Sequence, residues 1–185
     1  MHQAHSLHDV FVHELRDIYT AEQQISKALP KLIKAVDSDD LRDAFETHLD
    51  ETHRQIGRLE AAFELLDQKV RRASCDGMNG ILEESRTVMS DDPRGPIRDA
   101  ALIAAAQRVE HYETAVYGTL VAWARSMGHD QVATLLQSNL DEAKNADEQL
   151  TQLAEGGINE AAVRSNGAPA HGRKTSGTAR KPGGR

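Results

Sequence analysis

Residues 98–120, RDAALIAAAQRVEHYETAVYGTL, set Leu102, Val109, Val116 and Leu120 on one helical face, with a carboxylate, Glu113, in the middle of it. Ninety-one residues earlier, residues 9–32, DVFVHELRDIYTAEQQISKALPKL, carry the same pattern. Without gaps, Glu22 falls on Glu113 and Leu29 on Leu120, while Phe11, Ile18 and Ile25 fall on Leu102, Val109 and Val116. The register persists beyond these helices. Asp39 falls on Asp130, Leu49 on Leu140, Asp50 on Asp141, Glu51 on Glu142 and Leu59 on Leu150. Two stretches that match in stripe, turn and following stripe at one offset describe a repeated helical hairpin.

The surrounding residues bound the helices. The first is expected from Leu7 to Val36, with a kink or break near Leu29 because Pro30 lies inside it. Ser38, Asp39 and Asp40 read as turn and N-cap residues before a second helix, Leu41 to Leu66. A long connection, 67–96, holds a short amphipathic helix near Met78–Met89 and the punctuation of Pro93, Gly95 and Pro96. Pro96 suits the first turn of a third long helix running to Met127. Gly128 suits its C′ position, and Asp130 is expected to cap a fourth helix ending near Ala154. The fold class is therefore all-α: two repeated hairpins joined by a long crossover, the architecture of a ferritin-like four-helix bundle.

Composition agrees. Hydrophobic residues make up 39% of the 185, enough for a core, whereas 4% aromatics argue against a β-sandwich or barrel. No run of 18 apolar residues could span a membrane, and no cationic start followed by an apolar run suggests a secretory leader, so a cytoplasmic location is expected. One cysteine, Cys75, excludes an internal disulfide. The net charge of −7 is divided unevenly. Residues 156–185 hold six Lys/Arg against Glu160, a charge of +5 that leaves −12 on residues 1–155. They also hold seven of the 13 glycines. The expected domains are a bundle over 1–155 and a disordered basic tail over 156–185, with a short helical remnant near Ile158–Val163.

The carboxylates carry the functional signal. Glu22 lies within about 30° of the centre of the first stripe, and Glu113 is equally central on the third long helix. A buried carboxylate needs compensation, because leaving water costs several kcal/mol. A buried arginine or hydroxyl would serve, but no Arg or Lys lies on these two stripes at that height. A bound cation is the other solution. Levelling the hairpins about their turns, at 1.5 Å per residue, places Asp50, Glu51 and His53 within a turn of Glu22. Glu142, Asp147 and Glu110 fall within a turn of Glu113. Hard oxygen donors with an imidazole suit Fe or Mn, and the expected centre is a dinuclear carboxylate site for one of these metals.

The phrases at 9–32, 45–60 (FETHLDETHRQIGRLE), 98–120 and 139–155 (NLDEAKNADEQLTQLAE) resemble the bacterial stress-associated ferritin-like proteins of the YciE/YciF type. The resemblance implies a five-helix ferritin-like bundle, a homodimer and a ferroxidase-type di-iron centre. The generic ligand pattern, one Glu from each of two helices and Glu-x-x-His from the other two, is met in part. Glu22 and Glu113 match. Residue 54, three after Glu51, is Arg; His53 stands three after Asp50, and His48 three before Glu51. Asn145 stands three after Glu142, and Asp147 reads as central on the fourth long helix. His48 reads equally as a ligand or as a partner of one. His111 reads as surface, the histidines at 2, 5, 8 and 13 as solvated or a loose metal patch, and Tyr19 and Tyr112 as core packing or redox-active neighbours of a metal.

Three functions compete: oxidation of Fe(II) by dioxygen or peroxide at the carboxylate centre, a metal-free structural dimer, and weak, salt-dependent nucleic-acid binding through the basic tail.

Overall fold

The computed structural model describes residues 5–165 except 72, 92 and 93, and every regular element in it is helical. Helix α1 spans Leu7–Ala35, α2 Asp39–Leu65, α3 Asp76–Asp91, α4 Pro96–Ser126 and α5 Asp130–Leu153. A π turn, Ala154–Ile158, then leads into α6, Asn159–Ser165. Helices α1 and α2 form one hairpin and α4 and α5 the other; α2 packs on α5 and α1 on α4. This is the ferritin-like four-helix bundle. Helix α3, in the crossover, lies against α4 and α1.

The offset of 91 is visible in the element bounds. Helices α1 and α4 end at Ala35 and Ser126, and α2 and α5 begin at Asp39 and Asp130. The N-terminus of α2 is capped by Ser38, whose hydroxyl accepts from the Leu41 N–H at 3.3 Å. The turn before it is clamped from the other hairpin: buried Asp99 on α4 accepts the Asp37 and Ser38 N–H groups at 3.0 and 2.8 Å. Asp130 is the first residue of α5 rather than its cap. The cap position is His129, which makes no side-chain capping bond, and Gly128 before it takes the left-handed backbone, φ +77°, that ends α4.

Pro30 does not break α1, which runs unbroken to Ala35. Pro30 is exposed, so its ring and the Ser26 carbonyl that it leaves without an i→i+4 partner lie towards the outer side of the bundle. The helical fold also continues ten residues past Glu155. Gly157, at φ +143°, redirects the chain so that α6 returns against α4. The rest of the basic tail, and with it the nucleic-acid expectation, lies outside the described residues, as do His2 and Pro93. Among the described residues no helix is long and apolar enough to cross a membrane.

The core runs the length of the bundle through Phe11, Leu15, Ile18, Phe45, Leu59, Phe63, Leu102, Leu120 and Leu136. Helix α4 sits at its centre, touched by α1, α3, α5 and α6. Its alanine-rich first half, with Ala105 and Ala106 buried, keeps those neighbours close.

Candidate metal centre

The apolar core is interrupted at mid-height. Glu22 on α1, Glu110 and Glu113 on α4, and His48 on α2 are all buried. The 3–4 spacing of each stripe brings them inward: His48 follows Phe45 on α2, and Glu110 and Glu113 lie between Ala106 and Tyr117 on α4. One ligand atom each from His48, Glu110 and Glu113 lies within 4.8 Å of the others. His48 Nδ1 stands 2.7 Å from Glu110 Oε1. The Tyr117 hydroxyl donates to Glu22 Oε1.

The remaining donor atoms find no hydrogen-bond partner among the described residues. They are Glu22 Oε2, Glu110 Oε2, both Glu113 oxygens and His48 Nε2, each buried. Native interiors rarely leave such atoms unmade, since each costs about 1–3 kcal/mol and more when charged. Converging, unpartnered carboxylate oxygens with an imidazole form a set that a divalent cation satisfies. The residues therefore fit a metal.

Two further carboxylates border the centre. Glu51 on α2 and Glu142 on α5 are partly buried, with side chains 17% and 21% exposed. Glu142 is held by Arg58, whose Nη1 and Nη2 donate to its two oxygens at 2.7 Å each, and Arg58 also donates to Asn139 Oδ1 at 3.0 Å. Arg54 lies farther out, 3.8 Å from Glu51 and 3.9 Å from Glu142. Five carboxylates thus meet one imidazole, one inner guanidinium and one outer guanidinium.

The imbalance appears in the acidities. Burial pushes Glu22 up to about 7, although the Tyr117 hydrogen bond and the His48 charge oppose it. Burial, then the charges of Glu22 and Glu110, drives Glu113 well above the carboxylate range. Burial pulls the His48 imidazole down, but the charge and hydrogen bond of Glu110, with the charges of Glu22 and Glu51, outweigh it and raise it to about 8. Burial and the Glu142 charge also raise Glu51. The metal-free centre therefore holds protons where an ion would hold charge.

Residues 6–163 match the family described as a domain of unknown function, DUF892. The chain belongs to this family. It is 44% identical over 158 residues to protein YciF of Escherichia coli K12, spanning 85% of this chain and 95% of that one. The crystal structure of the E. coli stress protein YciF superposes with a TM-score of 0.82, covering 85% of this chain and 99% of that one. YcfI from Rhodopseudomonas palustris, a protein proposed to be structural, is 43% identical with a TM-score of 0.79 over 80% and 95% of the two chains. A Xanthomonas campestris protein at 21% identity and TM-score 0.69, covering 87% of this chain and 99% of that one, shares the fold.

Of the residues expected at the site, Glu22, Glu110 and Glu113 are brought together at its centre, and Glu51 and Glu142 border it. Asp50 and His53 are not there: both are exposed. On α2 the inward positions are His48, Thr52, Gln55 and Leu59, and residues two places from His48 or Gln55 are turned about 200° away. Asp147 also lies off the centre. Asn139, Ala143, Ala146 and Leu150 form the buried stripe of α5, and Asp147 at its edge accepts from Gln107 at 3.1 Å and meets exposed His111 at 3.2 Å. His48, open between ligand and partner from sequence, is at the centre, and Tyr117 and Arg58 are additions. Spacing carried the signal for two of them: His48 is one turn before Glu51 and Tyr117 one turn after Glu113. Tyr19 and Tyr112 bond elsewhere, to Glu60 at 2.9 Å and Asp17 at 2.8 Å.

Proposed function

We propose that this protein is a metal-carboxylate member of the ferritin-like fold that takes up Fe(II) as substrate and oxidises it, with His48, Glu110 and Glu113 holding one ion and Glu22, Glu113 and the bordering Glu51 and Glu142 serving a second. The observation that carries the reading is the set of buried, unpartnered donor atoms on Glu22, Glu110, Glu113 and His48. Iron supplies the one-electron chemistry, and a carboxylate-rich set favours its higher charge state; Mn is the alternative occupant.

The chain's own part is protonic and electrostatic. Protons held on Glu22, Glu113 and His48 leave as cations enter, so uptake is linked to pH. Tyr117 keeps Glu22 oriented through its hydroxyl. Arg58 holds Glu142 until a second cation competes for that carboxylate. Metal analysis after purification without chelator, followed by anaerobic Fe(II) titration, tests the reading. Metal-free protein that takes up no Fe(II) rejects it.

The likeness to YcfI supports a second reading, a metal-free structural bundle, and the Arg58–Glu142 pair favours it by showing that one half of the centre is neutralised internally. Under that reading the buried carboxylates are needed for stability as they stand. Removing the Glu22 charge in metal-free protein separates the two: a gain in stability favours the metal centre and a loss the structural bundle.

A further inference from the structure

Resting on the carboxylate-centre reading, we infer that a small uncharged oxidant, dioxygen or hydrogen peroxide, reaches the centre through its own passage between α1 and α3, separate from the route taken by the metal. A surface cleft of about 270 Å³ opens between these helices, bordered by Gln24, Lys27, Lys31, Arg86 and Met89. Its floor is shared with an inner pocket: Ala28, Leu32, Leu82 and Ser85 line both. The inner pocket continues between Ile25, Leu29, Phe45 and Val109 and ends on His48 and Glu110. Its free volume is about 20 Å³, room for roughly one water-sized molecule.

The chemistry of the walls selects the traveller. Lys27 and Lys31 are exposed at the mouth, where the charge of Arg86 is offset by Glu83 at 2.6 Å. A hydrated dication meets like charge there and then a throat whose side walls are aliphatic and aromatic, where shedding water is uncompensated. A neutral diatomic or peroxide meets neither barrier. Gln24 Oε1, buried without a partner, and the Ser85 hydroxyl give the passage its polar atoms. Glu51 and Glu142, partly exposed on the α2–α5 side, offer the cation its entrance. The oxidant's arrival completes a balanced step. Two Fe(II) each give one electron; hydrogen peroxide takes both with two protons and becomes two waters, or dioxygen takes both with two protons and becomes hydrogen peroxide.

The test uses Ala28→Leu, which narrows the shared floor, and Ser85→Leu as a second plug from α3; neither residue is a proposed ligand. In metal-free protein under oxygen pressure, paramagnetic relaxation of the Leu29, Leu82 and Val109 methyls should exceed that of Leu59, a core methyl away from the passage. The excess should vanish in either variant. Anaerobic Fe(II) binding should be unchanged in the variants, while oxidation by dioxygen and by peroxide falls at least tenfold; a fall with one oxidant alone names that oxidant as the passage's occupant. Wild-type rates in both variants, or no relaxation excess in the wild type, overturn the passage. A wild type that binds no Fe(II) rejects the carboxylate-centre reading, and the relaxation measurement then decides the passage alone.

Discussion

Replacing Glu22 by Gln keeps the acceptor for Tyr117 and the side-chain volume but removes one buried charge. In the metal-free protein Glu22 rises from 4.5 to about 7. Between these values the folded chain holds a proton that the unfolded chain has lost, so stability falls as pH rises, by about 1.4 kcal/mol per pH unit for this group. The loss is complete above pH 7 and amounts to about 3 kcal/mol. His48 acts in the same direction. Raised from 6.5 to about 8, it contributes stability that is fully present below pH 6.5 and is lost as pH rises through 8, about 2 kcal/mol. Metal-free wild type should therefore lose stability steadily from pH 4.5 to 8.

Glu22→Gln should match wild type near pH 4.5 and exceed it by about 3 kcal/mol at pH 8, trimmed slightly because the Glu22 charge helps to hold His48 up. For a chain of this size the gain is roughly 6–12 °C in melting temperature. Adding Glu113→Gln should extend the gain, since that group is raised by the same causes. Urea unfolding of chelator-treated protein at four pH values from 5 to 8 measures it, and both variants should bind Fe(II) poorly. A loss of stability in Glu22→Gln at every pH would mean that its carboxylate is a structural acceptor, and the metal assignment would fall with it.

His48→Ala should abolish Fe(II) uptake and lower metal-free stability by about 3 kcal/mol, because Glu110 loses its buried partner; chemical unfolding reads the second effect and titration the first. Asp50→Ala and His53→Ala, on the outer face of α2, should change stability by less than about 0.5 kcal/mol and leave metal uptake intact. Arg58→Gln should cost about 1–2 kcal/mol through the lost bidentate pair and strengthen binding of a second metal equivalent, seen by calorimetry. Truncation after Ser165 should leave the melting temperature unchanged, whereas truncation after Glu155 should lower it by about 2–4 °C, near 1 kcal/mol, because α6 packs on α4.

The sequence made the fold legible because the repeat constrains it twice. A stripe alone marks a helix; the same stripe, turn and stripe at one offset marks a hairpin and its copy, and the ends of α1 and α4 and the starts of α2 and α5 follow that offset. Glu22 and Glu113 were legible for the same reason, as polar residues at the centre of an apolar face. What lay at the stripe edges was not. A helix in a bundle buries more than its central line, and which flank is covered depends on its rotation against two neighbours. From the sequence Asp147 reads as central on its helix and His48 as open between ligand and partner, yet His48 turns inward onto Glu110 while Asp147 lies at the edge of the α5 stripe and bonds to Gln107. Arg58 was hidden differently: its long side chain starts near the edge of α2 and reaches Glu142 across the helix interface, a distance that residue spacing does not encode.

The repeat also shows what the two halves of the centre do not share. Glu22 corresponds to Glu113 and Glu51 to Glu142, so the carboxylate frame is symmetric. The partners are not. At the offset of 91, His48 corresponds to Asn139, Glu110 to Tyr19, and Arg58 to Gln149. In space, each half of the centre draws on both repeats: in one half His48 of the first hairpin meets Glu110 of the second, with unpartnered oxygens, and in the other Asn139 and Glu142 of the second hairpin are bonded to Arg58 of the first, which already neutralises Glu142. In one half the frame is left for an outside cation, and in the other an inside cation fills part of it. Binding in the first half relieves buried charge, whereas binding in the second must first break an ion pair. Two ions entering this centre would therefore bind in sequence and with unequal affinity, and the bundle would carry both a metal-ready half and a self-compensated half in one symmetric scaffold. That division explains how the metal-free chain tolerates five converging carboxylates: protons serve the first half, and Arg58 serves the second.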